Sequence, residues 1–229
     1  AHFAICTLFF TLIQRPVFFV YNRSVSDRPL HFRDLADASW HGLYTDVKVA
    51  AYLSVLPLLL VWGYAHGLHF NITNCLAVYH IVAASAVALL TVADTALYRF
   101  WQFKIEDSVL SYLRSLKGAF ASVSAAYVFM AVLTVAAFAI LQGAALLALD
   151  LGGNPASLPQ HHLSMWAHVL TGFCALLVAA LFYVVIRGLH IRPDSPVYSY
   201  YCNSQYLNHC AVNPVYNFIY SIHLREDFS

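Results

Sequence analysis

The sequence predicts an all-α polytopic membrane protein with five transmembrane helices and an interfacial amphipathic helix between the third and fourth. Three observations predict it. Hydrophobic residues fill 61% of the 229 positions and charged residues only 10%, where a soluble globular chain carries about 25% charged residues. The mean hydropathy is +0.66. The apolar residues gather into five runs, most of them near the ~20 residues needed to cross a bilayer.

The spans fall at about 1–21, 46–64, 75–98, 119–149 and 165–186. The first is interrupted by Gln14-Arg15-Pro16. Pro16 can kink a membrane helix. Arg15 is costly at that depth unless it faces the bundle, snorkels or pairs with a carboxylate. Residues 22–40 are polar and read as a surface loop with a short helical turn. The second span has a polar entry at His41, Tyr44, Asp46 and Lys48. The third carries His80 near its start and Asp94 near its end. The fourth is rich in Ala, which suits close helix packing in lipid. Gly, Pro and Asn in 151–164 mark the loop before the fifth span.

Between spans three and four, Ile105, Val109, Leu110, Tyr112, Leu113 and Leu116 recur at helical spacing, with Lys104, Glu106, Asp107, Arg114 and Lys117 on the remaining positions. Such a stripe, tethered to apolar spans at both ends, predicts a helix over 104–117 lying flat in the membrane interface. Tyr98, Phe100, Trp101 and Phe103 just before it predict an aromatic belt at the headgroups. After Arg187 the composition turns polar and aromatic, so 188–229 is expected to be an extramembrane linker. The chain opens inside apolar sequence and closes on REDFS, and is expected to be a piece of a longer protein.

Candidate chemistry is sparse. There is no P-loop, GxSxG, HExxH or GxGxxG pattern, and no basic run for nucleic acid. The five cysteines show no metal-site spacing, and Cys202 and Cys210 read as free thiols. His41, Asp46, Asp94 and Arg99, with Lys48, collect at one end of spans two and three. Two readings stand: an ion-pair network in which Asp46 meets Arg99 or Asp94 meets Lys48, and a contact to substrate or lipid headgroups. At the other end lie His66, His69, His80, His161, His162 and His168. His80 and His168 fall at similar depth and, if facing, form a bis-histidine haem site, the mark of a small redox or transport protein. A purely structural membrane protein is the third reading.

Three segments carry a resemblance: HGLYTDVKVAAYLSVLP (41–57), ADTALYRFWQFKIEDSVLSYLRSLKGAFASVS (93–124) and VYSYYCNSQYLNHCAVNPVYNFIYS (197–221). In this order and spacing they resemble the membrane half of lipoteichoic acid synthase-like proteins, the membrane-anchored branch of the sulfatase and alkaline phosphatase superfamily. The resemblance implies a multi-pass domain in the bacterial cytoplasmic membrane. It implies a catalytic domain after Ser229 that uses a divalent metal (Mn, Mg or Zn) and a Thr or Ser nucleophile on phosphoglycerol, phosphate or sulfate esters. No catalytic residue and no metal ligand of that family maps onto this chain. The expected partners are membrane lipids and that following domain. The Lys and Arg residues outside the spans all lie on the side where the chain ends, which by the positive-inside rule is cytoplasmic. The resemblance implies the opposite, an extracytoplasmic C-terminal side, and that orientation is taken as the expectation.

Overall fold

The computed structural model describes residues 2–109, 124–153, 164–187 and 195–227. These residues form no strand. They form five helices long and apolar enough to cross a membrane: α1 His2–Tyr21, α2 Phe32–Ala65, α3 Ile72–Trp101, α4 Ala125–Gly153 and α5 Met165–Arg187. Two further helices follow, α6 Gln205–Ala211 and α7 Pro214–Asp227. The outward residues of α4 and α5 are large and apolar, among them Phe129, Ile140, Leu170, Phe173 and Leu176. Apolar surface on that scale marks a membrane-facing wall.

The local chemistry explains the helix bounds. In α1, Pro16 has no N–H to give to the preceding turn. The turn ahead of it widens into a π-helical segment, Phe10–Gln14, and the Arg15 N–H bonds to the Phe10 carbonyl. Both Gln14 and Arg15 are buried as a result. α2 has 34 residues, about 51 Å at 1.5 Å per residue, against a hydrocarbon core of about 30 Å. It is therefore longer than one straight crossing needs. Residues 32–40 are helical, where the sequence reads as loop. The cause is a cap: the Asp34 side chain accepts the His31 N–H at 2.8 Å, and Arg28 pairs with Asp34. α3 starts on Asn71, whose side chain accepts from the Asn74 N–H at 3.0 Å.

α3 ends on Gln102, with φ 56°, the left-handed cap position. This turns the chain inward, and the expected interfacial helix does not begin at 104. Helical geometry starts at Ser108, and residues 110–123 lie outside the described residues. Ile105 is not on a lipid-facing stripe. It is buried, and so is Lys104, because both reach back to Asp94. The aromatic belt is corrected likewise. Phe100 is exposed and Trp101 stacks on Phe103 at 5.4 Å, but Tyr98 is in the core against Phe18.

Two apolar clusters hold the bundle. One joins Cys6, Phe9 and Phe10 of α1 to Val49 and Ala50, Val87, Leu146, and Val215 and Tyr216 of α7. The other joins Phe18 and Phe19 to Ala38, Tyr98, and Tyr206, Leu207, Cys210 and Ala211 around α6. Residues of the segment expected as a linker thus belong to both cores. α6 and α7 are docked into the bundle between α1, α2 and α3, not trailing from it. α5, by contrast, packs on α2 and buries no residue of its own.

Candidate functional site

The centre of the molecule is a buried clasp between α1, α2 and the α6–α7 turn. The Arg15 guanidinium makes a two-pronged pair with Asp46, Nη1 to Oδ2 at 2.8 Å and Nη2 to Oδ1 at 3.0 Å. Both side chains are fully buried. A fork-to-carboxylate pair is the strongest geometry open to arginine. Arg15 also donates from Nε to the Cys210 carbonyl at 3.0 Å and from Nη2 to the Ala211 carbonyl at 3.2 Å. Those acceptors are open for a sequence reason. Residue 214 is proline, so the Cys210 carbonyl has no N–H four residues on, and the end of α6 leaves the Ala211 carbonyl unpaired.

Asp46 is saturated from the other side. Oδ2 accepts from the Thr11 hydroxyl at 3.0 Å and Oδ1 from the Asn213 amide at 2.9 Å. Asn213 gives every group it has. Its backbone N–H goes to Thr45 Oγ1 at 3.2 Å, and its side-chain oxygen caps α7 by accepting from the N–H groups of Val215 at 2.9 Å and Tyr216 at 3.3 Å. Gly42 leaves the space that the clasp needs. A Cβ there would sit 2.1 Å from Arg15 Nη2 and 2.3 Å from the Ala211 carbonyl oxygen.

A second buried pair lies above the first. Lys104 Nζ is 2.5 Å from Asp94 Oδ2 and 4.1 Å from the centre of the Phe18 ring. The Ile105 N–H donates to Asp94 Oδ1 at 2.9 Å. The side-chain amide of Asn217 on α7 donates to the Ile105 carbonyl at 2.9 Å, and the Asp107 N–H donates to Ser221 Oγ at 2.8 Å. α7 thus fixes the segment after α3. Removing the cation, as in Lys104→Met, leaves the buried Asp94 carboxyl without its counterion. The expected loss is about 3 kcal/mol or more, read as a lowered unfolding midpoint in detergent, while Lys104→Arg should retain most of the stability.

α6 is held by aromatic and imidazole contacts. The Tyr206 hydroxyl donates to the Phe19 carbonyl at 2.5 Å. The Tyr98 hydroxyl and His209 Nδ1 are 2.9 Å apart. Burial, and then the Lys104 charge, push the His209 pKa down to about 4. A group depressed in the folded state stabilises fully above its unfolded pKa of about 6.5 and loses that contribution as pH falls through the folded value. The docking of α6 should therefore weaken between pH 6.5 and pH 4. His209→Gln should flatten the pH dependence of the unfolding midpoint across that window, and an unchanged slope would rule this origin out.

The four candidate site residues, His41, Asp46, Asp94 and Arg99, each have a place. Asp46 and Asp94 do form ion pairs, but with Arg15 and Lys104 in place of Arg99 and Lys48. The partners differ because α1 inserts Arg15 beside α2 and the left-handed cap brings Lys104 back onto α3. Lys48 Nζ instead donates to the Ile186 carbonyl at 3.2 Å, at the end of α5, and lies 4.7 Å from the centre of the Tyr44 ring. His41 is exposed and stacks on Tyr201, with centroids 4.6 Å apart and planes 1° apart. Arg99 is exposed on the last turn of α3. Asp46 and Asp94 are thus closed to headgroups, whereas His41 and Arg99 face outward.

The histidines separate in the same way. His80 stacks on His2 at 5.1 Å. His168 meets His66 at 5.4 Å, and His66 Nε2 lies 2.9 Å from Thr171 Oγ1. Among the described residues the ring neighbours of His80 are His2 and Tyr79, and that of His168 is His66. His161 and His162 lie outside the described residues. All five cysteines are free. Among the described residues no group of three or more His, Cys, Asp or Glu is placed to hold a metal ion.

Three residues of the clasp escape sequence reasoning: Gly42, Thr11 and Asn213. Asn213-Pro214 did carry a signal, since asparagine followed by proline at the first helical position is a helix start. No protein-family model matches the chain, and no curated protein or solved structure shows significant similarity to it.

Proposed function

We propose that the chain is a membrane anchor and positioning domain for a sulfatase-family phosphoglycerol transferase or phosphate or sulfate ester hydrolase working at the outer face of a bacterial cytoplasmic membrane. The observation that carries the reading is the Arg15–Asp46–Asn213 clasp. An anchor that only tethers needs no more than apolar spans. Here the segment after the last span is bound at full burial to α1 and α2, by groups that use nearly all their hydrogen-bonding capacity. Such docking fixes the direction in which the chain leaves the bundle. A domain carried beyond Ser229 would be held over the membrane in one orientation, raising its effective concentration at lipid-linked substrate. The resemblance of segments 41–57, 93–124 and 197–221 supplies the chemical class, and two of the three segments contribute the clasp.

The test has two arms. Phosphatase and fluorescent-protein fusions at Ser229 should report an extracytoplasmic end, with fluorescence and no phosphatase activity as the overturning result. In the protein read through beyond Ser229, Asn213→Ala should lower ester transfer or hydrolysis at unchanged membrane abundance. Unchanged activity would reduce the clasp to a packing feature. A Soret band in the purified chain would favour the haem reading instead.

A further inference from the structure

We infer that the groove between α1, α3 and α4 is a site for one anionic phospholipid, its acyl chain between the helices and its phosphate at Arg99. The groove is lined by Val17 and Tyr21 of α1, Val92 and Thr95 of α3, and Tyr127 and Phe138 of α4, among others, and has a volume of about 220 Å³. It is mostly apolar and open at the side. Its length is set by α4: from Tyr127 to Phe138 the helix descends about 16 Å at 1.5 Å per residue. Half of a hydrocarbon core of about 30 Å is about 15 Å, the depth of one leaflet. On α1 and α3 the lining covers about one turn each, at 17–21 and 92–96, so the groove fits within the length of an acyl chain in one leaflet.

Its mouth is polar and cationic. The hydroxyls of Tyr21 and Tyr127 are 3.3 Å apart, and that of Tyr127 also lies 3.3 Å from the Ala96 carbonyl. Val92, Thr95, Ala96 and Arg99 follow helical spacing i, i+3, i+4 and i+7, so Arg99 stands on the groove's own face of α3, one turn above its lining. Phe100, largely exposed, meets the Tyr127 ring edge-on at 6.4 Å. Among the described residues Arg99 is in no ion pair. An exposed arginine one turn above the lining, with two phenol hydroxyls at the mouth, matches a lipid phosphate, and the apolar channel matches the tail. This inference needs only that the helices span a bilayer and does not depend on the proposed enzymatic role.

The experiment is native mass spectrometry of the detergent-solubilised chain, titrated separately with dioleoylphosphatidylserine, dioleoylphosphatidylcholine and inorganic phosphate. The serine lipid should be retained about fivefold better than the choline lipid, the effect of one basic residue near an anionic headgroup. Arg99→Gln should remove that preference, and Ala131→Trp, which fills the groove, should lower retention of both lipids. Because Arg99 is exposed, Arg99→Gln is expected to fold, and the lipid comparison on the unaltered chain needs no variant. Equal retention of the two lipids, or a preference unchanged by Arg99→Gln, would overturn the inference. Inorganic phosphate retained as well as the serine lipid would also overturn it, by showing a simple anion site.

Discussion

Asp46→Ala should cost about 3–5 kcal/mol, the range for stripping one partner from a buried ion pair. The substitution leaves the Arg15 guanidinium at full burial with only the carbonyls of Cys210 and Ala211 as acceptors. It also strands the Asn213 amide, while the Thr11 hydroxyl keeps the Thr7 carbonyl at 3.0 Å as an acceptor. Reversible unfolding in mixed micelles measures the loss. The informative comparison is the double variant Arg15→Met/Asp46→Leu. Replacing both charges with apolar groups removes the burial penalty along with the attraction, so it should cost clearly less than the two single losses summed. Additive losses would mean that Arg15 and Asp46 are not energetically coupled. The first element to detach should be α6. Cys210 is buried, whereas Cys202 is partly accessible, so faster maleimide labelling at Cys210 in Asp46→Ala would locate the loss.

Gly42→Ala should be nearly as damaging, although it adds a single methyl to a helix. The new carbon would lie 2.1 Å from Arg15 Nη2, 2.5 Å from Arg15 Cζ and 2.3 Å from the Ala211 carbonyl oxygen. A flexible side-chain end would ordinarily swing aside. Arg15 cannot, because four hydrogen bonds pin it, and the Ala211 oxygen is backbone. Overpacking of this kind costs about 1–3 kcal/mol, and the clasp must also open to admit the methyl. Gly172→Ala is the control. Nothing lies within 4 Å of a Cβ there, so the change should be neutral or stabilising by up to about 1 kcal/mol, the helix-propensity gain. If the two variants unfold at the same midpoint, the steric account of Gly42 fails.

These effects sit where the sequence is least legible. Apolar runs announce transmembrane helices because lipid leaves the backbone no other way to satisfy its hydrogen bonds. That requirement is local, so all five spans could be read from composition and length. Pro16 also announced a disturbance in the first helix, and the structure has it as a π turn. The missed first turns of α2 had a local signal too, in Asp34 three residues after His31, hidden by the surrounding charge.

The pairing of charges was another matter. Asp46 and Asp94 were recognisable as acids needing cations. Which cation each one takes depends on how α1 packs beside α2 and on a left-handed turn at Gln102, and no spacing in the chain encodes either. Asn213 bonds to residues 167 and 168 positions away, so its role could not be seen from its neighbours. Composition and periodicity by themselves determined an all-helical, membrane-spanning chain with two buried acids in need of partners. Only the tertiary structure decided that the polar tail folds back into the bundle, because burying Arg15 requires the Cys210 carbonyl that Pro214 leaves open and the Ala211 carbonyl freed at the end of α6.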